Sequence, residues 1–112
     1  MSVALSSANV SPSTTSRTLL YTCPATGVLD TTIFTGTISN IDTTGMATHS
    51  VTVERLLADG VTYVPKLVPI PIAFGGSLKF PKMALVANEK VYITSLDANM
   101  ITVDISYAQR GA

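Results

Sequence analysis

Three prolines interrupt a stretch of the chain that otherwise has the composition of a β-strand. The stretch is VPKLVPIPIAFGGSLKF, residues 64–80, and its prolines are Pro65, Pro69 and Pro71. Proline has no backbone N–H to donate, so within sheets it is confined to edge strands, first positions and bulges. Pro69 and Pro71 project to the same side of an extended chain, which leaves the other side to face the core. The side chains on that other side are Val68, Ile70 and Ile72. We therefore predict an edge strand that is closed to further pairing.

The remainder of the chain consists of short β-type runs separated by turn signals, with no sustained apolar face at helical spacing. The runs lie at residues 18–23, 30–41, 47–57, 61–68, 77–80, 83–86, 91–96 and 100–108. The last run is the clearest, because Ile101, Val103 and Ile105 alternate with polar residues as in a strand with one buried face. The pattern predicts an all-β fold, an antiparallel β-sandwich of seven or eight short strands, of immunoglobulin-like or jelly-roll type.

Individual residues within these runs carry further predictions. Gly36 suggests a bulge or the close approach of another backbone, and Gly60 is expected in a left-handed conformation that closes a hairpin. The four tyrosines all fall within predicted strands, where aromatic side chains usually pack in the core or in cross-strand pairs. They are Tyr21, Tyr63, Tyr92 and Tyr107.

The N-terminal segment, residues 1–16, reads MSVALSSANVSPSTTS and lacks sustained periodicity. Its Ser, Thr and Asn side chains compete with the hydrogen bonds of helices and sheets. We therefore predict an extended N-terminal arm, followed by a single β-sandwich domain over residues 17–112. An arm of this composition becomes ordered only where something holds it, and we expect a neighbouring subunit to do so. The alternative is an arm folded back on its own domain.

Charged residues make up only 12% of the chain, and seven basic residues balance seven acidic ones. They are scattered singly from Arg17 to Arg110, so we expect no direct nucleic-acid partner. A neutral surface with few charges gives little protection against association, which favours a protein that lives in an assembly. We expect neither a signal peptide nor a membrane span in residues 1–16, and the single cysteine fits synthesis in a reducing cytoplasm.

Catalytic and metal chemistry has few candidates in this chain. Cys23 lies beside Pro24 at the end of an apolar strand, where a small buried thiol is the ordinary outcome. His49 is expected to face solvent or to make a single hydrogen bond. One histidine and one cysteine are too few for a usual zinc site, and turn chemistry accounts for Asp42 and Asp97 without calcium. We therefore expect no enzyme, no catalytic residue, no cofactor, no metal and no small-molecule substrate.

Residues 67–109 read LVPIPIAFGGSLKFPKMALVANEKVYITSLDANMITVDISYAQ. This order of a PIPI strand, a Gly-rich turn, a short SLKF strand, an ANEKVYI hairpin and an alternating last strand resembles small β-sandwich virion proteins of tailed bacteriophages. Similar P.P..GGSL…L..N..(V/I)(Y/T) stretches recur in that group. The YTCPA of residues 21–25 looks like the opening of the same pattern, so the resemblance covers residues 18–108. It implies a structural role, in capsid decoration or in tails and fibres, and it assigns no site residue.

These observations predict a non-enzymatic structural protein of the virion, made in the host cytoplasm. The preferred role is a capsid decoration or cement protein that binds the capsid surface and bridges neighbouring major capsid subunits. The alternatives are a phage tail, fibre or adaptor component and a carbohydrate- or surface-binding β-sandwich module. The expected partners are the major capsid protein and copies of the chain itself, as a dimer or trimer, with no membrane. The candidate contact residues are Val3, Leu5, Val10, Pro69, Pro71 and Phe74.

Overall fold

The computed structural model describes residues 3–111, apart from the side chain of Val68. Residues 1, 2 and 112 of the predicted arm and domain lie outside the described residues. In chain order the strands are β1 (Val3–Val10), β2 (Thr18–Thr22), β3 (Val28–Asn40), β4 (His49–Leu56), β5 (Tyr63–Ile72), β6 (Ser77–Lys79), β7 (Met83–Val86), β8 (Lys90–Ser95) and β9 (Ile101–Gly111). All strand pairs are antiparallel, which confirms the predicted all-β sandwich. The described residues form nine strands in place of the predicted seven or eight, because the N-terminal segment is itself a strand. The described chain contains no helix of the length and apolarity needed to cross a membrane.

Two sheets form the sandwich. Sheet A has the order β1-β9-β3-β6, with β7 pairing the same side of β3 as β6, and sheet B has the order β2-β8-β4-β5. With β6 and β7 taken as one position, the first strand pairs with the last, the second with the second last, and the innermost pair is β4 with β5. This is the topology of a long hairpin rolled into two sheets, the jelly roll. The sequence had left open an immunoglobulin-like or a jelly-roll sandwich, and the strand order identifies the jelly roll.

The N-terminal segment is an integral strand of sheet A. Val3–Val10 pairs in unbroken register with β9 of the same chain, and Ala8 and Val10 pack against the core. The structure therefore supports the alternative of an arm folded on its own domain in place of an arm held by a neighbouring subunit. The periodicity was hidden because β1 carries mainly small side chains on both faces, and only Ala8 and Val10 pack against the core.

The core lies between the sheets and is built from both of them. Its largest fully buried side chains include Ile33, Ile38, Phe80, Leu85, Ile93, Ile101 and Ile105. These residues belong to the alternating runs that the sequence pattern identified as strands. The buried faces of the two sheets therefore follow from the period-2 pattern, as expected for a sandwich with one wet and one dry side of each sheet.

Both glycine predictions are confirmed. A Cβ on Gly36 would lie 2.6 Å from the Asp104 carbonyl oxygen and 2.9 Å from the Phe80 Cβ, so only glycine allows this close approach. The register of β3 against β9 also shifts between Ile33 and Thr35, next to this point. In the turn after β4, Gly60 has a φ of 77°. The bulge and the missing side chain together let β3 pass close beneath Phe80.

The proline-rich stretch forms β5, an edge strand of sheet B, as predicted. Pro69 and Pro71 are exposed, whereas Ile72 is buried and only 4% exposed. The prediction for the Val68 side chain lies outside the described residues. Proline cannot donate to a ladder, and prolines on an edge strand are one of the usual devices that protect the edge from further pairing.

We expect the double variant Pro69→Val, Pro71→Val to fold and to associate through the open edge of β5. The change restores two N–H donors and introduces two β-branched side chains, which favour strand pairing. Light scattering should detect a larger particle mass than for the wild-type protein at the same concentration. The matched control is Ala73→Val, which adds an exposed valine just after β5 without restoring a donor. Equal association of the two variants would contradict the closed edge.

Candidate interaction surface

The outer face of sheet A carries small and apolar side chains in register across four strands. One row, from β1 through β9 and β3 to β7, consists of Leu5, Ala108, Thr32 and Ala84. The adjacent row consists of Val3, Arg110, Asp30 and Val86. Leu5, Val3 and Val86 have 73%, 63% and 55% of their surface exposed. We call these two rows the outer patch.

The alternation of buried and exposed side chains along each strand shows that the outer patch faces away from the core. Thr31, Ile33 and Leu85 flank patch residues on β3 and β7, and all three are completely buried. On β9, Gln109 donates across the sandwich to the Tyr21 hydroxyl at 2.7 Å. Successive side chains of a strand point to opposite faces, so the residues between these inward-facing ones project towards solvent.

The outer patch is electrically neutral although it contains two charged residues. Arg110 Nε donates to Asp30 Oδ1 at 3.2 Å, and Arg110 Nη2 donates to the second carboxylate oxygen. Such a bidentate pair satisfies both charges within the face. Further along the same face, Asn9 Nδ2 donates to Asp104 Oδ1 at 2.6 Å. Asp104 keeps its charge, since its partner is a neutral amide, but it lies outside the two rows. The outer patch itself therefore offers a partner apolar and hydroxyl groups and one internally paired charge.

The outer face of sheet B has a different character. Arg17 Nε donates to Glu54 Oε1 at 2.9 Å, and the Arg17 guanidinium lies 3.7 Å from the centre of the Tyr63 ring. The rings of Tyr63 and Tyr92 are 5.8 Å apart in an edge-to-face arrangement. Charge and aromatic surface on this side are thus engaged with each other. The two outer faces of the sandwich are chemically distinct.

The remaining tyrosines pack between the sheets. The rings of Tyr21 on β2 and Tyr107 on β9 are 4.5 Å apart, and the Tyr21 hydroxyl lies 2.9 Å from Thr31 Oγ1. The prediction that the tyrosines serve packing is therefore confirmed for both pairs. Cys23 is fully buried, as predicted, with its sulfur 3.5 Å from the same threonine oxygen.

The structure does not bring the predicted contact residues together at one place. Val3 and Leu5 lie in the outer patch, whereas Val10, on the same strand, packs inwards against the core. The others lie on or beyond β5, at the opposite side of the sandwich from β1. These are the exposed Pro69, Pro71 and Phe74. The other members of the outer patch were missed, because strand register alone places Thr32, Ala84 and Ala108 in one row.

His49 corrects the sequence prediction. It is only 7% exposed, and its ring bridges two carboxylates. Nε2 lies 2.8 Å from Asp42 Oδ2, and Nδ1 lies 2.6 Å from Asp97 Oδ2. Ionised carboxylates only accept hydrogen bonds, so both contacts are satisfied together in the cationic imidazolium, in which both ring nitrogens donate. The hydrogen bond with Asp42, followed by that with Asp97, raises the pKa of His49. The prediction of a solvent-facing or singly hydrogen-bonded histidine was wrong. Its second partner, Asp97, lies in a turn 48 positions further along the chain.

Asp42 anchors the loop before β4 as well as the histidine. Its carboxylate accepts backbone N–H bonds from Thr44, Gly45 and Ala47 at 3.1, 2.8 and 3.3 Å, so the turn chemistry predicted for it is present. The His49 hydrogen bond, joined by these backbone donors, lowers the pKa of the Asp42 carboxyl well below its usual range. We call Asp42, His49 and Asp97 the histidine cluster. It ties two loops to the end of β4.

The histidine cluster does not have the arrangement of a metal site. Across residues 3–111, no group of three or more His, Cys, Asp or Glu side chains is placed to hold a metal ion. In the cluster the imidazolium lies between the two carboxylates and neutralises part of their charge. What this geometry does chemically is fasten loops, through charge-assisted hydrogen bonds.

No protein-family model and no curated protein matches the sequence. Solved structures do show a similar fold. A chain in the acidic stable capsid structure of Helicobacter pylori bacteriophage KHP30 is 14% identical, with a TM-score of 0.59 over 98% of this chain and 89% of that chain. A chain from Bacillus endospore appendages, described as a novel family of disulfide-linked pili, is 14% identical with a TM-score of 0.53 and the same coverage. At this identity the similarity shows the fold alone.

Proposed function

We propose that the protein is a non-enzymatic structural protein of a virion, and specifically a capsid decoration, or cement, protein. In this role the sandwich lies on the capsid surface and bridges neighbouring major capsid subunits by adding buried interface area. The observation that carries the proposal is the outer patch, an apolar surface whose only two charges are paired with each other. The cores of protein interfaces are depleted of charged residues in the same way.

The shape of the patch suits a broad protein partner. One of its rows carries the small residues Ala108, Thr32 and Ala84 on β9, β3 and β7, so a partner surface can approach the sheet closely along that row. Larger apolar side chains lie at its margins on β1 and β7, namely Val3, Leu5 and Val86. A row of small residues beside larger apolar side chains favours close packing against a partner, as in the well-packed cores of protein interfaces.

Two further observations support a place in the virion. The fold is similar to that of a chain in a phage capsid structure. The resemblance of residues 18–108 to small virion proteins of tailed phages rests on separate features, the turn and strand order of the sequence. The expected partners are the major capsid protein and copies of the chain itself.

A second candidate function is a phage tail, fibre or adaptor component. The observation in its favour is the similar fold of the chain from Bacillus endospore pili, which are filaments. The two roles differ in copy number, since a decoration protein covers the capsid lattice and a tail component is present in few copies. Gel densitometry of purified particles distinguishes them: many copies support decoration, and few copies contradict it. A carbohydrate-binding module gains less support, because Tyr63 and Tyr92 pack against each other.

The capsid-binding surface is tested by a matched pair of substitutions. Thr32→Lys places a charge at the centre of the outer patch, whereas Thr94→Lys places the same charge on the outer face of sheet B, beside Thr52. We expect Thr32→Lys to weaken binding to capsids stripped of this protein about tenfold or more, because a desolvated charge without a partner is costly. Binding by Thr94→Lys should stay near the wild-type value. Equal binding by both variants would contradict the assignment.

Point substitutions test the capsid-binding surface more directly than removal of the N-terminal segment does. Deletion of residues 2–14 would strip β9 of its partner and uncover the core beside Ala8 and Val10. Loss of binding in that variant would then report a damaged fold as well as a lost contact. Thr32 is an exposed residue, so its replacement leaves the packing intact.

A further inference from the structure

β1 forms an edge of sheet A, and its outer side has no partner strand within residues 3–111. The strand is eight residues long, VALSSANV, and contains no charged residue and no proline. Its register with β9 is unbroken over its whole length, so it carries no bulge that would twist it away. A long, flat and uncharged edge strand is competent to pair with another strand.

The other edge strands of the described chain are each protected. β5 carries its three prolines. β6 and β7 share the far edge of sheet A and are only three and four residues long, with Pro81 and Lys82 between them. β2 has five residues and an irregular register between Leu19 and Tyr21. Short strands, prolines and bulges are the usual devices against edge pairing. The fold uses them everywhere except at β1.

We propose that the open edge of β1 pairs antiparallel with β1 of a second copy of this chain, about a twofold axis. The two A sheets then form one continuous sheet with both outer patches on the same face. To keep outer side chains on that face, Leu5 of one copy lies beside Leu5 or Ser7 of the other. This pairing does not depend on where the protein is located. It deepens the decoration role, because a dimer presents two patches and so can bridge two capsid subunits.

A second copy fits this edge better than an unrelated strand because the edge is self-complementary. β1 has no charge that could repel its own copy, and an isologous interface brings the same residues together from both sides. Pairing also covers Val3 and Leu5, which are otherwise 63% and 73% exposed on a single chain. Backbone hydrogen bonds supply affinity, and these two side chains supply apolar contact across the axis.

Charge exchange at Leu5 tests the pairing in the purified full chain. We expect wild-type protein to sediment as a dimer, and Leu5→Lys and Leu5→Glu each to sediment as monomers, because like charges meet across the axis. Each substitution should raise the dimer dissociation constant about tenfold or more, and an equimolar mixture of the two should restore a dimer. Leu5 is exposed on an outer face, so the far-UV circular dichroism spectrum should stay unchanged.

The control for charge alone is Leu19→Lys. Leu19 is also a leucine on an edge strand, β2 of sheet B, and is 46% exposed. This variant should remain dimeric. A monomeric wild-type protein at about 100 µM, equal dissociation by Leu5→Lys and Leu19→Lys, or failure of the mixture to dimerise would each overturn the proposal. A monomer that still binds capsids would overturn only the pairing, and a dimer that does not bind capsids would overturn only the decoration role.

Discussion

Replacing Gly36 with alanine is expected to lower the free energy of unfolding by about 3 kcal/mol, at the upper end of the usual cost of overpacking a core. The added Cβ would lie 2.6 Å from the Asp104 carbonyl oxygen, 2.9 Å from the Phe80 Cβ and 3.0 Å from Ile105 Cγ2. Two of these neighbours cannot move as flexible side-chain ends can. One is backbone, and the other is the Cβ of Phe80, a fully buried residue whose backbone N–H donates to the Gly36 carbonyl at 3.0 Å.

Urea denaturation of Gly36→Ala and Gly27→Ala separates steric cost from conformational cost. Gly27 has a φ of 79°, but a Cβ there would meet nothing within 4 Å, so its replacement carries only backbone strain of about 1 kcal/mol. Gly36 lies outside the left-handed region, so its cost is entirely steric. If Gly36→Ala proved no more destabilising than Gly27→Ala, β3 would have to shift away from Phe80, and the close approach would not be a requirement of the fold.

Replacing His49 with alanine is expected to lower the melting temperature by about 10 °C. The variant leaves the Asp42 carboxylate, whose side chain is 3% exposed, without its cationic partner. It also frees the turn containing Asp97, which holds the second ring nitrogen at 2.6 Å. Asp97→Asn is the matched comparison, because the Asp97 side chain is 55% exposed and can be hydrated when the contact is lost. Asp97→Asn should lower the melting temperature clearly less than His49→Ala. An equal decrease would contradict the inference that the bond between His49 and Asp42 contributes most of the stability of the cluster.

The histidine cluster also predicts a pH dependence of stability. The pKa of His49 is raised above its ordinary value of 6.5 in the folded protein, so its contribution is fully present below pH 6.5 and is lost as the pH rises through the folded pKa. The pKa of Asp42 is lowered from 3.8, so its contribution is present above pH 3.8 and is lost as the pH falls through the folded pKa. The cluster therefore stabilises the fold most between these two values.

Thermal melting from acidic to alkaline pH in wild type and His49→Gln checks this dependence. The wild-type melting temperature should fall on the alkaline side of the window, whereas the fall should be much smaller in His49→Gln, which has no proton to lose there. Parallel alkaline profiles for the two proteins would show that the imidazole is not charged in the fold. Other groups then would account for any loss of stability at high pH.

Much of the fold could be predicted from local chemistry. The alternation of Ile101, Val103 and Ile105 identified β9 and its buried face, since period-2 patterning is a property of neighbouring residues. The prolines identified an edge strand for a similar reason, because a missing N–H constrains pairing whatever the partner is. β1 was not recognised as a strand, because its partner β9 lies at the other end of the chain and its own residues show no sustained alternation.

The candidate sites were harder to predict from the sequence than the fold was. Turn chemistry around Asp42 was visible in its neighbours, but the bond from His49 to Asp97 joins residues 48 positions apart, and no spacing rule indicates it. Leu5 was identified as a contact residue from the composition of the arm. Its alignment with Ala108 and Thr32 depends on the register of three strands, which sequence patterns do not specify across sheets.

Sequence patterns were enough to predict the all-β class, the positions of most strands, the proline-protected β5 edge and the low charge of the chain. Each of these depends on single residues or their immediate neighbours. The jelly-roll order, the place of β1 beside β9, the outer patch and the histidine cluster became visible in the folded structure alone. These features arise where pairing between distant segments of the chain sets the register of the strands. That register is stabilised by the packing of the whole sandwich and not by any one local pattern.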